Sequence, residues 1–305
     1  MVKKISIIGS GAVGSNLAFH ILSRLTIKEL VLIDIVDSLA KGVSLDLEDT
    51  RAFLNFNTEI IGGSDINLIK DSDIVVLTCG LVRKEGMSRE DLLSTNRRII
   101  SEVSLKIKEL AKSSIVIVVT NPLDLMTYEV NRVTRFNRKR IMGMGSSLDT
   151  ARFVNLIYKE TKVSTCDIEA LVFGLHSKDM LPVLSLAKIK GYSLERFIEE
   201  RKLDVLKRRV KERGTEIVNY LKNRSAYFSP SLACYHLVEA IVNDCNRIIP
   251  VSVLLKGEFG LNNVCIGVPC FINRKGIDKI IEYELTPQEK RELLSMGDRF
   301  KECMK

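Results

Sequence analysis

Ile5-Ser6-Ile7-Ile8-Gly9-Ser10-Gly11-Ala12-Val13-Gly14, near the start of the 305-residue chain, decides the fold. A β-branched apolar run passes without a linker into a glycine turn, and Leu17, Ala18, Ile21, Leu22 and Leu25 then recur at helical spacing. A second apolar run, Leu30-Val31-Leu32-Ile33, ends in Asp34, twenty residues beyond Gly14. Strand, glycine turn, helix, strand and acid in this order suit a dinucleotide. Gly9 allows a tight turn off the strand, Gly11 clears a side chain from where a pyrophosphate meets backbone, and Gly14 lets the helix pack on the sheet. The helix start offers unpaired N–H groups and a positive dipole end to phosphates. Asp34 accepts ribose hydroxyls and repels a 2′-phosphate, and no Arg or Lys adjoins it, so NAD is expected and NADP is less favoured. Tight glycine turns also occur in other α/β proteins, methyltransferases among them.

Later segments repeat the alternation. A helix is expected over 37–54, a short strand at Thr58-Glu59-Ile60-Ile61, a buried strand over 73–78, a long helix over 90–112, the strong strand Ile115-Val116-Ile117-Val118-Val119, and a short strand near Arg140-Ile141-Met142-Gly143. Strands alternating with helices imply right-handed crossovers, a doubly wound parallel sheet, and ligands at the strands' carboxyl ends. Those ends carry Cys79-Gly80 and a glycine-bounded loop with Arg83 and Arg89, then Thr120-Asn121-Pro122-Leu123-Asp124, then Ser146-Ser147-Leu148-Asp149-Thr150-Ala151-Arg152 at a helix start. One strand is expected over 168–174, running into Leu175-His176.

Length predicts two domains of roughly 140 to 160 residues, and 46% hydrophobic residues can fill their cores. No apolar run approaches the ~18 residues of a membrane span. Met1-Val2-Lys3-Lys4 resembles the start of a secretory signal, but the apolar part is short and leads into glycines, so a cytoplasmic protein is expected. Seven cysteines with no CxxC pair, and no His cluster at zinc spacing, read as mostly buried thiols in a reducing compartment and give no metal site, although one or two disulfides stay open. The net charge of +8 is densest over 201–224. That segment reads first as the solvated face of a long helix, because Leu203, Leu206, Val210, Ile217, Val218 and Leu221 mark an apolar stripe through it. Neither a nucleic-acid nor a membrane partner is expected, though a positive field helps collect an anionic substrate.

The order GxGxVG, Asp34, RKxGxxRxD, VTNPLD, LDxARF and GxHxxxMxP, running through nearly the whole chain, resembles the lactate/malate dehydrogenase superfamily, and Arg83 in the loop resembles its malate dehydrogenase branch. Ser225-Ala226-Tyr227 before a helix with Val238-Glu239-Ala240-Ile241 fits as well. The resemblance implies a Rossmann NAD-binding domain over 1–143, an α+β catalytic domain over 144–305, a homodimer or homotetramer, and reversible hydride transfer between (S)-malate and oxaloacetate. It implies His176 as acid or base, Asp149 as the carboxylate orienting it, Arg152 gripping the C1 carboxylate, Arg89 and Asn121 at the substrate carbonyl, and Arg83 at the second carboxylate. It assigns cofactor contacts to Gly9, Ser10, Gly11, Ala12, Val13, Gly14, Asp34, Thr78, Gly80, Asn96, Val119 and Asn121. A monocarboxylic oxo acid leaves Arg83 uncompensated in a closing site, and Gly80 and Gly86 suit the loop to act as a lid.

Each residue also has a plainer explanation. Asp149 and Arg152 suit an i,i+3 pair at a helix start, Arg83 and Arg89 are ordinary loop charges, and Asn121 before Pro122 suits a turn. His20 and His236 read as packed or surface groups. The chain also departs from the family's usual Gly-Gly-His-Gly-Asp, reading Gly174-Leu175-His176-Ser177-Lys178-Asp179. A lactate-type 2-hydroxy acid dehydrogenase and a catalytically idle NAD-binding protein are the alternatives.

Overall fold

The computed structural model describes residues 2–81, 89–222 and 224–304, and of Arg89 the backbone alone. Its first half alternates strand and helix: β1 (Lys4–Ile8), α1 (Ala12–Arg24), β2 (Glu29–Ile33), α2 (Asp37–Asp49), α3 (Arg51–Leu54), β3 (Glu59–Gly63), β4 (Ile74–Leu77), α4 (Arg89–Leu110), β5 (Ile115–Val118), α5 (Leu123–Thr134) and β6 (Ile141–Gly143). The strands pair in parallel in the order β3-β2-β1-β4-β5-β6. Every residue of β4, β5 and β6 is buried, as expected where helices cover both faces of a parallel sheet. The chain winds outward in both directions from β1 and β4, which opens a crevice at their carboxyl ends.

The second half runs α6 (Gly145–Thr161), the two-residue strands β7 (Ile168–Glu169), β8 (Val172–Phe173), β9 (Leu181–Pro182), β10 (Lys188–Ile189) and β11 (Tyr192–Ser193), then α7 (Glu200–Leu221), α8 (Phe228–Val242), β12 (Arg247–Lys256), β13 (Asn262–Asn273), β14 (Gly276–Ile280) and α9 (Pro287–Met304). The antiparallel meander β12-β13-β14 joins the parallel sheet at its β6 edge through the pair Gly143–Ser252, making nine strands. The sheet is thus continuous across residue 143, and one apolar core reaches from Ile5 and Leu17 to Val268 and Phe300.

Three local expectations need correction. The helix expected over 37–54 breaks at Thr50, where the hydroxyl turns back onto the Leu47 carbonyl at 2.7 Å. The strand expected over 168–174 divides between two small sheets, β7 pairing with β10 and β8 with β9. Between them Val172 N–H donates to the Thr150 hydroxyl on α6 at 2.9 Å, so a helix side chain takes the place of a continuing ladder. The thiols expected to be mostly buried are not: of the seven, all free, only Cys234, Cys265 and Cys270 are buried, with Cys79 and Cys245 half-buried and Cys166 and Cys303 exposed.

On α7 the apolar stripe is buried at Leu203, Leu206 and Val210 but exposed at Val218 and Leu221. His20 is half-buried and His236 exposed. Among the described residues no helix is long and apolar enough to cross a membrane.

One charged clamp ties the meander to the β6 edge. Arg138, just before β6, donates to both carboxylate oxygens of Glu258, at 3.1 and 2.5 Å, and to the Leu254 carbonyl at 2.8 Å. Arg138 holds the Glu258 carboxyl down at about 2, against an ordinary 4.5. A carboxyl with a depressed folded pKa stabilises above its unfolded value and loses that contribution as pH falls toward the folded one. Glu258→Gln should therefore cost about 1–2 kcal/mol at pH 7. Urea unfolding at pH 7 and pH 3 should show the gap between wild type and variant narrowing in acid.

Candidate active site

The crevice forms where β1, β2 and β4 end. Gly9 N–H donates to the Ile33 carbonyl at 2.7 Å, locking the glycine turn onto β2. A Cβ on Gly14 would stand 2.0 Å from the Gly9 carbonyl oxygen, so only glycine lets α1 start this close to the turn. Asp34, half-buried, is pinned by two backbone donors, Ser10 N–H at 2.9 Å to one oxygen and Val36 N–H at 3.0 Å to the other. Each oxygen keeps lone pairs for outside hydroxyls.

A cavity of about 770 Å³ opens here, lined by Gly9, Gly11, Ala12, Val13, Gly14, Asp34, Thr78 and Gly80 together with Ile99 and Lys106 of α4 and Tyr227. Its volume, its glycine floor at a helix start and its fixed acid fit a dinucleotide. Cys79 also lines it; burial pushes that thiol up to about 12, so it stays protonated.

The other expected cofactor residues do not line this cavity. The Ser10 side chain turns inward, and Val119 is buried beneath. Asn96 is fully buried, with its amide committed to protein: it accepts from Leu81 N–H at 2.7 Å and donates to the carbonyls of Leu81 at 3.1 Å and Asn121 at 2.7 Å. Physically, Asn96 staples the start of the loop after β4 to the end of β5. Asn121 stands exposed at that end.

The second cluster sits at the carboxyl ends of β5 and β6. Helix α6 begins two residues after β6, and one turn in it presents Asp149 and Arg152. Asp149 is fully buried; one oxygen lies 2.7 Å from His176 Nδ1 and the other accepts from Arg152 Nη1 at 3.1 Å. A carboxylate can only accept, so His176 carries its proton on Nδ1 and leaves Nε2 as the exchanging atom. The imidazole is 14% and the guanidinium side chain 11% exposed. Burial opposes charge on His176, but Asp149, and after it Asp124, outweigh burial and raise its pKa above 6.5. Burial lowers the pKa of Arg152 against the pull of Asp149, and among the described residues its buried Nε has no partner.

Two residues here escape a reading of the sequence. Asp124, in the first turn of α5, accepts the backbone N–H of His176 at 2.7 Å. In the sequence it looks like any acid at a helix start. Gly145 opens α6 against the imidazole: a Cβ there would come within 2.6 Å of the His176 Cβ. Its only signal is a glycine just after an apolar run.

Of the departures beside His176, Leu175 packs half-buried against the main apolar core, and the other two face outward. Ser177 and Lys178 are exposed, and Asp179 pairs with Arg299 of α9 at 2.5 Å, so the altered loop leaves the ring and its backbone anchor in place. Arg83, Gly86 and the side chain of Arg89 lie outside the described residues.

A glycine-turn crevice with a fixed acid, together with a buried Asp–His pair, is the equipment of a nicotinamide-dependent oxidoreductase. The family models agree: residues 3–143 match the lactate/malate dehydrogenase NAD binding domain and residues 146–305 the lactate/malate dehydrogenase alpha/beta C-terminal domain. The chain belongs to the lactate/malate dehydrogenase family. It is 40% identical to the malate dehydrogenase of Chlorobium chlorochromatii over 97% of this chain and 95% of that one. It superposes on the malate dehydrogenase of Salinibacter ruber with a TM-score of 0.93 at 34% identity, covering 99% and 96%. A lactate dehydrogenase of Cryptosporidium parvum, solved with lactic acid and nicotinamide adenine dinucleotide, matches with a TM-score of 0.94 at 28% identity, covering 99% and 96%. The backbone alone therefore does not separate the two substrate types.

Gly14→Ala should cost about 2–3 kcal/mol through overpacking against the Gly9 carbonyl and weaken NADH binding by about tenfold or more. Urea denaturation and a NADH fluorescence titration check both.

Proposed function

We propose that this protein interconverts (S)-malate and oxaloacetate with NAD. The observation that carries the reading is Asp149 holding His176 and Arg152 at once, with Arg83 and Arg89 six residues apart in the segment that leads from β4 into α4. NADH, held by the glycine turn and Asp34, would supply the hydride for the oxaloacetate carbonyl carbon. His176 Nε2 gives the proton that completes the hydroxyl, and Asp149 stabilises the imidazolium before that transfer. In the reverse direction neutral His176 takes the proton from malate. Arg152, its other edge held by Asp149, grips the carboxylate next to the reacting carbon, while Arg89 and Asn121 polarise the carbonyl oxygen.

Arg83 sets the substrate by pairing with the distal carboxylate. A shorter monocarboxylate leaves that guanidinium unpaired when the site closes, a large penalty wherever water is excluded. Asn96 acts through Leu81 and Asn121, placing one end of the loop and one substrate contact together. We further assign a cytoplasmic homo-oligomer, dimer or tetramer. Its support is the exposed apolar set Phe19, Leu39, Leu45 and Phe53 on the neighbouring helices α1, α2 and α3, and a full complement of free thiols.

Steady-state NADH oxidation should favour oxaloacetate over pyruvate by about 10³-fold or more in kcat/KM. His176→Asn should lower kcat by about 10²–10⁴-fold with NADH affinity unchanged. Equal or better use of pyruvate points to a lactate-type enzyme, and no turnover of either acid points to an idle NAD-binding protein; both reject the reading.

A further inference from the structure

Asp124 is buried, titratable and unused in the reaction as derived above, yet it touches the residue that carries the proton. We propose that Asp124 is a positioning residue of the proton-transfer site: its carboxylate fixes the backbone of His176 from the α5 side and sets a second negative charge, besides Asp149, around the imidazole. This rests on the role given to His176.

The geometry has three parts. First, the Asp124 side chain accepts His176 N–H at 2.7 Å across 52 residues of sequence, so it anchors the loop that delivers the ring, whereas Asp149 on α6 orients the ring itself. Second, α5 and α6 follow the adjacent strands β5 and β6, so two neighbouring strand ends each bring one acid to one histidine. Third, the environment is dry. Among the described residues, the titratable and charged groups that face Asp124 or His176 are these two, Asp149 and Arg152 from α6, and the buried Cys265 thiol from β13. The Ser252 hydroxyl of β12 lies near the same carboxyl but makes no hydrogen bond of good geometry.

Keeping a carboxylate in such a place is costly, and burial pushes Asp124 up to about 6. A carboxylic acid with a raised folded pKa weakens the fold as pH rises from 3.8 toward that value. A group needed only as a hydrogen-bond acceptor has a cheaper solution in asparagine, whose carbonyl accepts the same N–H without charge. The charge itself is the feature to explain, and it acts on His176 in the same sense as Asp149, favouring the imidazolium.

The test compares wild type, Asp124→Asn and Asp124→Ala in pH profiles of kcat/KM for malate oxidation and oxaloacetate reduction. Asparagine keeps the acceptor and removes the charge, so the His176 limb should move to lower pH in both directions, by about 0.5–1 unit. Oxaloacetate reduction above the limb should fall about 3–10-fold, the same shift read as a rate. Alanine also removes the acceptor, and should lower kcat/KM at every pH by a further tenfold or so, while the Asn variant melts no lower than wild type. Coincident limbs in wild type and the Asn variant overturn the proposal, as do equal pH-independent losses in both variants or failure of the Asn variant to fold. A wild type inert toward oxaloacetate overturns instead the role of His176, so the two failures are distinguishable.

Discussion

Asp149 is the constraint on which the site depends. Its carboxylate is wholly removed from water, and that position is tolerable only because each oxygen has a partner, His176 Nδ1 on one side and Arg152 Nη1 on the other. The two partners are thereby placed relative to each other. The guanidinium and the imidazole sit on one acid, which is the spacing that the proposed grip on two adjacent groups of a 2-hydroxy acid would use. Removal of Asp149 leaves a buried guanidinium unpaired and a ring free to turn, two losses from a single change.

The fold makes this arrangement by bringing strand ends together. β1 and β2 end in the glycine turn and Asp34; β5 and β6 end in α5 and α6, which carry Asp124 and Asp149. The antiparallel meander does not build a separate second sheet. It extends the first from β6, so the apolar core of the N-terminal half also holds the helices of the C-terminal half. His176 reaches the shared edge because Gly174 bridges to Gly267 of β13, with backbone bonds of 2.9 Å in each direction.

Much of this is readable in the chain alone, for reasons that differ by residue. The strand–glycine–helix unit announces itself because three constraints, a tight turn, an open phosphate approach and close helix packing, all act within six residues. Asp149, Arg152 and His176 are readable only in order along the family pattern, since each alone has an ordinary explanation. What stays hidden depends on contacts between distant segments. Asp124 meets His176 across 52 residues, and nothing local in Asn121-Pro122-Leu123-Asp124 signals it. The amide of Asn96, which reads as a cofactor contact, also joins Leu81 to Asn121, a link its local sequence does not show. The continuous sheet is invisible for the same reason, because the pairing of Gly143 with Ser252 leaves no trace in either segment.

The account turns on an imidazole made more basic by buried carboxylates despite its own burial. The most direct measurement is a ¹⁵N-imidazole NMR titration of the protein, with His176 assigned by comparison with His176→Asn. The account predicts that the Nδ1 proton persists throughout and that Nε2 titrates above pH 6.5. Titration below that value, or a neutral ring protonated on Nε2, contradicts it.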